Sequence, residues 1–280
     1  MQKFNIGCQL KYNLVQPTTM IFNIQAVKTN SQKILHEELK LEPPLKVEEY
    51  ISPLEGNRYI RVNATPGDLE IGYRAVVELS HFYADDKAIA EIDPANLPAE
   101  TFYFLYPSRY CQSDLMAGLA ESEFGELQPG YSRVMAICDW IYDKVKYLSG
   151  STNSQTSAYD TATERAGVCR DFAHLGIAFC RALNIPARFV SAYAYKLEPP
   201  DFHACFEAYL GDRWYLFDAT RLVPLNGIIR IGTGRDAADV SFGTLFGTVE
   251  MKEMKVFAEV AEGKASQDDS QGRGNAIAIA

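Results

Sequence analysis

Three residues of this chain have the types and the order needed for thiol acyl transfer: Cys169, His203 and Asp218. A cysteine can act as the nucleophile, a histidine as the base that takes its proton, and an aspartate as the group that orients the base. Cys169 follows Gly167-Val168 and precedes an apolar pattern typical of a helix. His203 and Asp218 lie in two stretches that favour extended structure.

The residues after Cys169 predict a helix with one buried face. Apolar side chains recur at helical spacing over 172–183, and Pro186 indicates that the helix has ended. Cys169 therefore lies in the first turn, where unpaired N–H groups and the helix dipole favour a thiolate and could stabilise an oxyanion. Taken alone, a cysteine is more often a small packed residue, which is the role we expect for Cys138 and Cys180.

The relative positions of His203 and Asp218 follow from a predicted β-hairpin. Gly211-Asp212 is typical of a two-residue turn, which makes Leu210 the partner of Arg213. Because side chains alternate between the faces of a sheet, His203 and Asp218 then share one face as diagonal neighbours. Such pairs lie ~7 Å apart at the backbone, within reach of a hydrogen bond from imidazole to carboxylate. Asp218 can thereby fix the tautomer of the histidine.

Other residues near the three are weaker candidates. Asp201 and Glu207 could orient the histidine in place of Asp218, although we favour Asp218. His174 lies about 140° round the helix from the cysteine and is not expected to be the base. Asp171 is favourable in a first helical turn through the dipole alone, so we expect it to be structural.

Two further segments are candidates for the border of a cleft. Gly232–Ala237 loosely matches a dinucleotide-binding pattern but lacks the strand–helix–strand context, so we interpret it as a loop that borders the cleft. The polar loop 151–157 and Tyr159 are candidates for the oxyanion hole or a lid.

The composition argues against several classes of function. The chain has 27 Lys and Arg against 36 Asp and Glu, a net charge of −9, so we expect no nucleic-acid partner. No apolar run approaches ~20 residues, so we expect no membrane span. Residues 1–6 alternate polar and apolar types, unlike a signal peptide, and we expect a cytoplasmic protein.

The cysteines and histidines indicate free thiols rather than a disulfide framework or a metal site. Six cysteines occur at irregular spacing and four histidines are scattered, which does not suggest a zinc site. Cys205 shares a face with His203, and we expect it to pack rather than to react. The cysteines are Cys8, Cys111, Cys138, Cys169, Cys180 and Cys205.

The periodicity changes along the chain and predicts two domains and a tail. Strict alternation of apolar and polar residues, broken by turn residues, predicts antiparallel strands over most of 1–105 and favours a β-sandwich. Residues 106–261 would form the catalytic domain, and 262–280 a disordered tail. Helices are predicted over 111–124 and 130–148, a loop over 149–156, and strands near 187–196, 203–210, 213–220, 228–231 and 248–260.

Three blocks of the sequence resemble the transglutaminase-like superfamily, in particular its bacterial members of the cysteine-protease type. Gly167–His174 resembles the block around that family's nucleophile, Asp201–Ala204 its histidine block and Trp214–Thr220 its aspartate block, in the family's order. Gly234–Val240 is similar to a stretch found further on in the bacterial members. The resemblance runs over about 100–248 and is less specific for the β-rich front half.

The resemblance implies a papain-like α+β core and thiol catalysis through a thioester acyl-enzyme, with no metal and no organic cofactor. It implies that Cys169, His203 and Asp218 are the catalytic triad. The sequence departs from the family pattern where Cys205 replaces a usual tryptophan and Ala219 a frequent proline. Neither change removes a catalytic atom.

We therefore expect an α+β protein with an N-terminal antiparallel β-sandwich domain and a papain-like transglutaminase core, in which the nucleophile helix packs on an antiparallel sheet. The expected activity is thiol-dependent acyl transfer on a peptide or amide substrate, as a cysteine protease or amidase. Hydrolysis is favoured by the bacterial resemblance. A protein-glutamine acyltransferase (a transglutaminase) and a non-catalytic binding module on the same fold are the alternatives.

Overall fold

The computed structural model describes residues 1–261 and 274–279. Within these ranges the chain forms sixteen β-strands and four α-helices. The α+β class predicted from the sequence is confirmed. In the part of the chain that is described, no helix is both long and apolar enough to span a membrane.

The elements follow one another in a strand-rich first part, a helical middle and a second strand-rich part. They are β1 (Gln2–Leu14), β2 (Thr18–Phe22), β3 (Gln32–Glu42), β4 (Val47–Ile51), β5 (Arg58–Ala64), β6 (Gly67–Leu79), β7 (Phe82–Ala84), α1 (Ser113–Phe124), α2 (Tyr131–Lys144), β8 (Lys146–Tyr147), α3 (Ala158–Glu164), β9 (Ala166–Gly167), α4 (Cys169–Ala182), β10 (Ala187–Ala194), β11 (Phe202–Leu210), β12 (Arg213–Phe217), β13 (Ile228–Gly234), β14 (Gly243–Phe246), β15 (Val249–Val260) and β16 (Ala276–Ala278). Short 3-10 turns span Asp86–Ala88, Pro94–Asn96, Ala99–Phe104 and Leu225–Gly227.

The N-terminal part is the predicted antiparallel β-sandwich. One sheet has the strand order β15-β1-β6-β3 and the other β14-β2-β5-β4. Alternate residues of these strands point inward, so that Phe4, Ile6 and Leu10 from one sheet share a core with Met20 and Ile60 from the other. The predicted strand near 248–260 is β15, and it pairs with β1 of the sandwich. The domain boundaries drawn from the sequence stay a prediction.

The second core lies between α4 and an antiparallel sheet of order β12-β11-β10-β13, which we call the central sheet. Gly176 lets α4 approach β11 closely, because a Cβ at this position would lie 2.6 Å from the Phe206 ring. Helices α1, α2 and α3 pack around α4 on the side away from the sheet. Helix α4, which begins at Cys169, thus rests on the sheet that carries His203.

The helices between the two sheets differ in part from the predicted ones. The segments predicted as 111–124 and 130–148 form α1 and α2, but α2 ends at Lys144 because Val145 is extended and Lys146–Tyr147 pair in parallel with β9. Helix α3 was not predicted. It has seven residues, too few for an apolar period, and it begins at a capping box between Ser157 and Asp160.

The expectation of a frayed tail is wrong for the final described residues. Strand β16 pairs with β7, and Ala276, Ile277, Ala278 and Ile279 are all buried. The alternation of alanine and isoleucine lets this strand fill a narrow space between two apolar cores. So short a segment, inside a polar and small-residue stretch, gave no periodic signal. Residues 262–273 and 280 lie outside the described residues.

Buried hydrogen bonds join the sandwich to the central sheet. Gln32 donates through Nε2 to the carbonyl of Arg230 at 2.8 Å and accepts the N–H of the same residue at 2.8 Å. Asn57 makes the equivalent pair of bonds with Thr233 at 2.7 and 2.9 Å. Both side-chain amides are buried. The backbone groups of Arg230 and Thr233 in β13 therefore have these hydrogen bonds only while the sandwich and the central sheet are in contact.

Candidate active site

Cys169 is the first residue of α4, as the sequence predicts. The Asp171 carboxylate caps this end of the helix: its Oδ2 accepts the N–H of Val168 at 2.9 Å and the Thr152 hydroxyl at 2.8 Å. Asp171 is completely buried and also accepts the Arg170 guanidinium at 3.0 Å. Its role is therefore structural, as expected. These bonds hold the first turn, where the N–H of Cys169 has no acceptor within the helix.

The loop 151–157 is tied to the same turn of α4. Thr152 bonds to Asp171, and the Arg170 guanidinium donates to the carbonyl of Asn153 at 2.6 Å. Ser154 borders the cleft that contains Cys169, whereas Tyr159 lies exposed on α3 and is not among the cleft residues. The role of this loop in an oxyanion hole or lid stays a prediction.

The imidazole of His203 and the carboxylate of Asp218 are hydrogen-bonded through Nε2 and Oδ2 at 2.7 Å, and both side chains are buried. The predicted hairpin register is confirmed, since Leu210 opposes Arg213. The ladder ends at Phe217, one residue before the aspartate. Asp218 is held instead by Thr220, whose N–H and hydroxyl donate to Oδ1 at 2.9 and 2.7 Å.

This arrangement leaves one ring nitrogen of the histidine for the thiol. Nδ1 of His203 is buried and has no hydrogen-bond partner of good geometry among the described residues. Burial by itself would lower the pKa of His203. The charge and hydrogen bond of Asp218 oppose that effect and, together with the nearby Cys169, raise the pKa to about 10. The imidazole is therefore held ready to carry a proton.

Tyr147 is a site residue that the sequence analysis missed. Burial makes the largest contribution to the raised pKa of its hydroxyl. The charge of Cys169 raises that pKa further, whereas the N–H of Cys169 lowers it. The hydroxyl thus contacts both the thiol and the backbone of the cysteine. Tyr147 is placed there by the parallel pairing of β8 with β9, the strand just before the nucleophile. Nothing in its sequence neighbourhood signals that contact.

Cys169 is the one cysteine of the six that is not buried. Burial raises the pKa of Cys8 to about 11 and of Cys111 to about 12, and it raises the pKa of Cys205 well above its ordinary value. The predicted packing role of Cys205 is confirmed, because its side chain is 1% exposed. Among the described residues, no group of three or more His, Cys, Asp or Glu side chains is placed to hold a metal ion.

The alternative orienting residues have other partners. Glu207 is buried and paired with the guanidinium groups of Arg188 and Arg230. The Asp201 carboxylate accepts the N–H of Phe202 at 2.7 Å and borders the cleft. Neither carboxylate takes the place of Asp218 on the imidazole.

His174 is a structural histidine, in agreement with the sequence analysis. Its Nε2 accepts the N–H of Ala237 at 3.1 Å, and its ring stacks on Tyr110 with 5.0 Å between centroids. Complete burial lowers its pKa well below the ordinary value. The interpretation of Gly232–Ala237 as a loop is wrong for 232–234, which belong to strand β13, whereas Ala237 does border the cleft.

Cys169 and His203 lie on the wall of a cleft of about 510 Å³. Much of the lining is apolar and comes from separate parts of the chain. β14 and β15 belong to the sandwich sheets, so that the β-sandwich supplies one wall of the cleft. The apolar lining includes Phe189, Ile231, Val240, Phe242 and Met254.

Two family models match the chain. Residues 118–219, which contain Cys169, His203 and Asp218, match the transglutaminase-like superfamily core. Residues 2–100 match the N-terminal domain of bacterial transglutaminases. The first match covers most of the helices and of the central sheet, and the second covers most of the sandwich.

The chain is also similar to individual proteins over much of its length. A Cytophaga hutchinsonii protein, whose crystal structure is described as that of "a Putative Cysteine Protease", is 47% identical, with a TM-score of 0.94 over 100% of this chain and 98% of that one. An uncharacterized Mycobacterium leprae protein is 30% identical over 49% of this chain and 52% of its own length. The chain thus spans about half the length of the curated relatives it matches. The protein belongs to the transglutaminase-like superfamily.

Proposed function

We propose that this protein is a thiol-dependent acyl-transfer enzyme that acts on peptide or amide bonds, as a cysteine protease or amidase. The observation that carries the proposal is the 2.7 Å bond between Nε2 of His203 and Asp218, beside the only cysteine that is not buried. Nδ1 of the same ring remains for the thiol of Cys169. A nucleophile, a base and a group that orients the base are thereby assembled at one cleft.

The reaction would proceed in two halves. The Cys169 sulfur attacks the amide carbonyl carbon, a C–S bond forms, and the C–N bond breaks as His203 gives its proton to the leaving amine. Water then attacks the thioester and gives a proton to His203. The C–S bond breaks, and the thiolate and the carboxylic acid product are released. Asp218 stays ionised and stabilises the imidazolium throughout.

Two donors near the sulfur would stabilise the oxyanion. The N–H of Cys169 has no acceptor within α4, and the hydroxyl of Tyr147 contacts the same residue. Removal of one such donor typically costs ~100-fold or more in turnover. We therefore assign Tyr147 as the second donor in this proposal.

The acceptor decides between hydrolase and transferase. Water as the acceptor makes a protease or amidase, which we favour from the similarity to the Cytophaga protein. An amine acceptor would make the protein a transglutaminase, in keeping with the family that its N-terminal domain matches. A binding module would use the same fold with an unreactive Cys169.

An activated ester tests this proposal without a known substrate. p-Nitrophenyl acetate should transfer one acetyl group to Cys169, detectable by intact mass and peptide mapping, and water should then remove it. Cys169→Ala should remain unmodified, and Tyr147→Phe should be acetylated more slowly while keeping the fold. Added alkylamine that captures the acetyl group faster than water does would favour the transferase alternative. Absence of acetylation in folded wild-type protein would contradict both enzymatic forms of the proposal and favour the binding module.

A further inference from the structure

One carboxylate at the cleft has no role in the proposed reaction. Asp201 borders the cleft two residues before His203, and its carboxylate accepts only the N–H of Phe202, at 2.7 Å. It forms no ion pair with any residue in the described part of the chain. Its surroundings raise the pKa of this carboxyl mainly through burial, while His203 acts in the opposite direction. Asp201 is an exposed residue, so the burial of its carboxyl group is only partial.

The other charged side chains that line the cleft are already paired. The Arg170 guanidinium is bonded to the buried Asp171 at 3.0 Å and to the carbonyl of Asn153. His203 is paired with Asp218 at 2.7 Å. Asp201 therefore has no ion-pair partner among the described residues, and His203 acts on its charge without a hydrogen bond or ion pair. The charge of Asp201 also contributes to the raised pKa of Tyr147, and Asp201 lines the same cleft as Cys169 and His203.

The apolar wall makes this charge more effective. Phe202 and Phe242 stack with 5.1 Å between their centroids beside Asp201, and Met254 continues the apolar lining. A charge at the edge of an apolar cleft attracts an opposite charge more strongly than it would in open water. A substrate with a positive charge would also satisfy a carboxylate that the fold leaves without a cationic partner.

We propose that Asp201 selects substrates that carry an organic cation, an ammonium or a guanidinium, next to the reacting carbonyl or on the attacking amine. This inference rests on the proposed function, because it takes Cys169 as the reacting atom. It adds the chemical class of the substrate: a cationic group at Asp201 with an apolar group beside it. Asp201 acts on specificity and is not required for the chemical step.

Charged thiol reagents test the selection directly at Cys169. Cys169 is modified with three methanethiosulfonates: the cationic trimethylammonium-ethyl, the anionic sulfonatoethyl and the neutral methyl reagent. Each rate is divided by the rate of the same reagent with free 2-mercaptoethanol, which corrects for its intrinsic reactivity. In wild-type protein the cationic reagent should then be favoured over the neutral one by about 3- to 10-fold at low salt, and the anionic reagent disfavoured. Asp201→Asn should bring both ratios towards one.

Two further variants guard against an indirect effect. Asp201→Glu keeps the charge and should keep most of the preference. Asp212→Asn removes a carboxylate at the hairpin turn, at the other end of β11 and ~30 Å from Asp201, and should change neither ratio. A preference that survives Asp201→Asn, or its absence in wild-type protein, overturns the inference. If Cys169 of folded protein fails to react even with the neutral reagent, the proposed function itself is contradicted, and the inference with it.

Turnover then shows which partner carries the cation. Aryl esters of acetyl-lysine and acetyl-norleucine differ by a charge on the acyl side. Diaminopentane and pentylamine differ by a charge on the amine that captures an acetylated enzyme. A preference for the charged member of one pair that is lost in Asp201→Asn assigns the cation to that side. Equal rates within both pairs contradict the selection of a cation during turnover.

Discussion

At the scale of single residues, the chemistry depends on how two buried groups share a proton. His203 would be neutral at physiological pH if burial acted alone, because burial disfavours its charged form. Asp218 reverses that preference through a direct bond at 2.7 Å. The aspartate thus sets both the orientation and the charge of the imidazole. The sequence allowed this pair to be predicted, because a two-residue turn fixes the register of the hairpin.

The protonation of His203 can be measured directly. Its pKa in the folded protein, about 10, is above the ordinary 6.5, so the charged pair stabilises the fold fully below pH 6.5. That contribution is lost as the pH rises through about 10. In Asp218→Asn burial is no longer opposed by the carboxylate, and the pKa should fall below 6.5. Imidazole NMR shifts between about pH 4 and pH 12, over the range in which each protein stays folded, give the midpoints. A midpoint near 6.5 in both proteins would show that no charged pair exists.

Tyr147 and Asp201 show where residue-level prediction from the sequence ends. The histidine, the aspartate and the cysteine have side chains whose chemistry can be assigned from type and spacing. A tyrosine becomes part of the site only through the pairing of β8 with β9, two strands of two residues each. The free carboxylate of Asp201 is recognised only once Arg170 and His203 are known to have other partners.

At the scale of elements, the site depends on how closely α4 approaches β11. Gly176 faces the ring of Phe206, which is completely buried and stacks on Phe217. The ring therefore has little room to move. The apolar stripe of α4 predicted that one helix face would be buried, but not that a glycine would let the helix approach Phe206 of β11 so closely.

Gly176→Val should destabilise the protein. The new side chain would overlap the Phe206 ring, since its Cβ alone would lie 2.6 Å from it, and such overpacking costs about 1–3 kcal/mol. Gly118→Val is the matched control, because no atom lies within 4 Å of a Cβ on that glycine of α1, and it should change stability by less than ~0.5 kcal/mol. Urea unfolding measures both. Equal stability of the two variants would refute the close packing.

The final strand, β16, supports the central sheet from the end of the chain. Ile277 is 1% exposed and packs with Leu216 of β12, the strand that precedes Asp218. Ile277→Ala should therefore cost about 2–5 kcal/mol, as for other buried isoleucines. Ile51→Ala, at a side chain that is 63% exposed, should cost less than ~0.5 kcal/mol. If both variants unfold at the wild-type urea concentration, β16 contributes nothing to the fold.

At the scale of the whole molecule, the cleft lies where the later part of the chain returns to the N-terminal sandwich. β14 and β15 complete the sheets of the N-terminal sandwich, and Phe242, Thr244 and Met254 from this region border the cleft. The sequence predicted the sandwich and the strand near 248–260. It gave no means of pairing that strand with β1, because strand alternation indicates a buried face but not the partner.

The two parts should unfold as one unit. Gln32 and Asn57 satisfy the main chain of β13 across the junction, and separation would leave those buried groups unpaired. Both tryptophans, Trp140 and Trp214, lie outside the sandwich, in α2 and β12, so fluorescence reports on the part around α4 and far-UV dichroism on the whole chain. The two signals should give the same urea midpoint. Two separate midpoints would contradict a single cooperative unit.

The central claim is that Cys169 is a nucleophile activated by His203. Limited labelling with iodoacetamide at pH 7, followed by peptide mapping of all six cysteines, tests it most directly in wild-type protein and in His203→Ala. The account predicts that Cys169 is labelled first, since the other five thiols are buried, and that its rate falls by roughly tenfold or more in the variant. An inert Cys169 while another cysteine reacts, or an unchanged rate in His203→Ala, would contradict it.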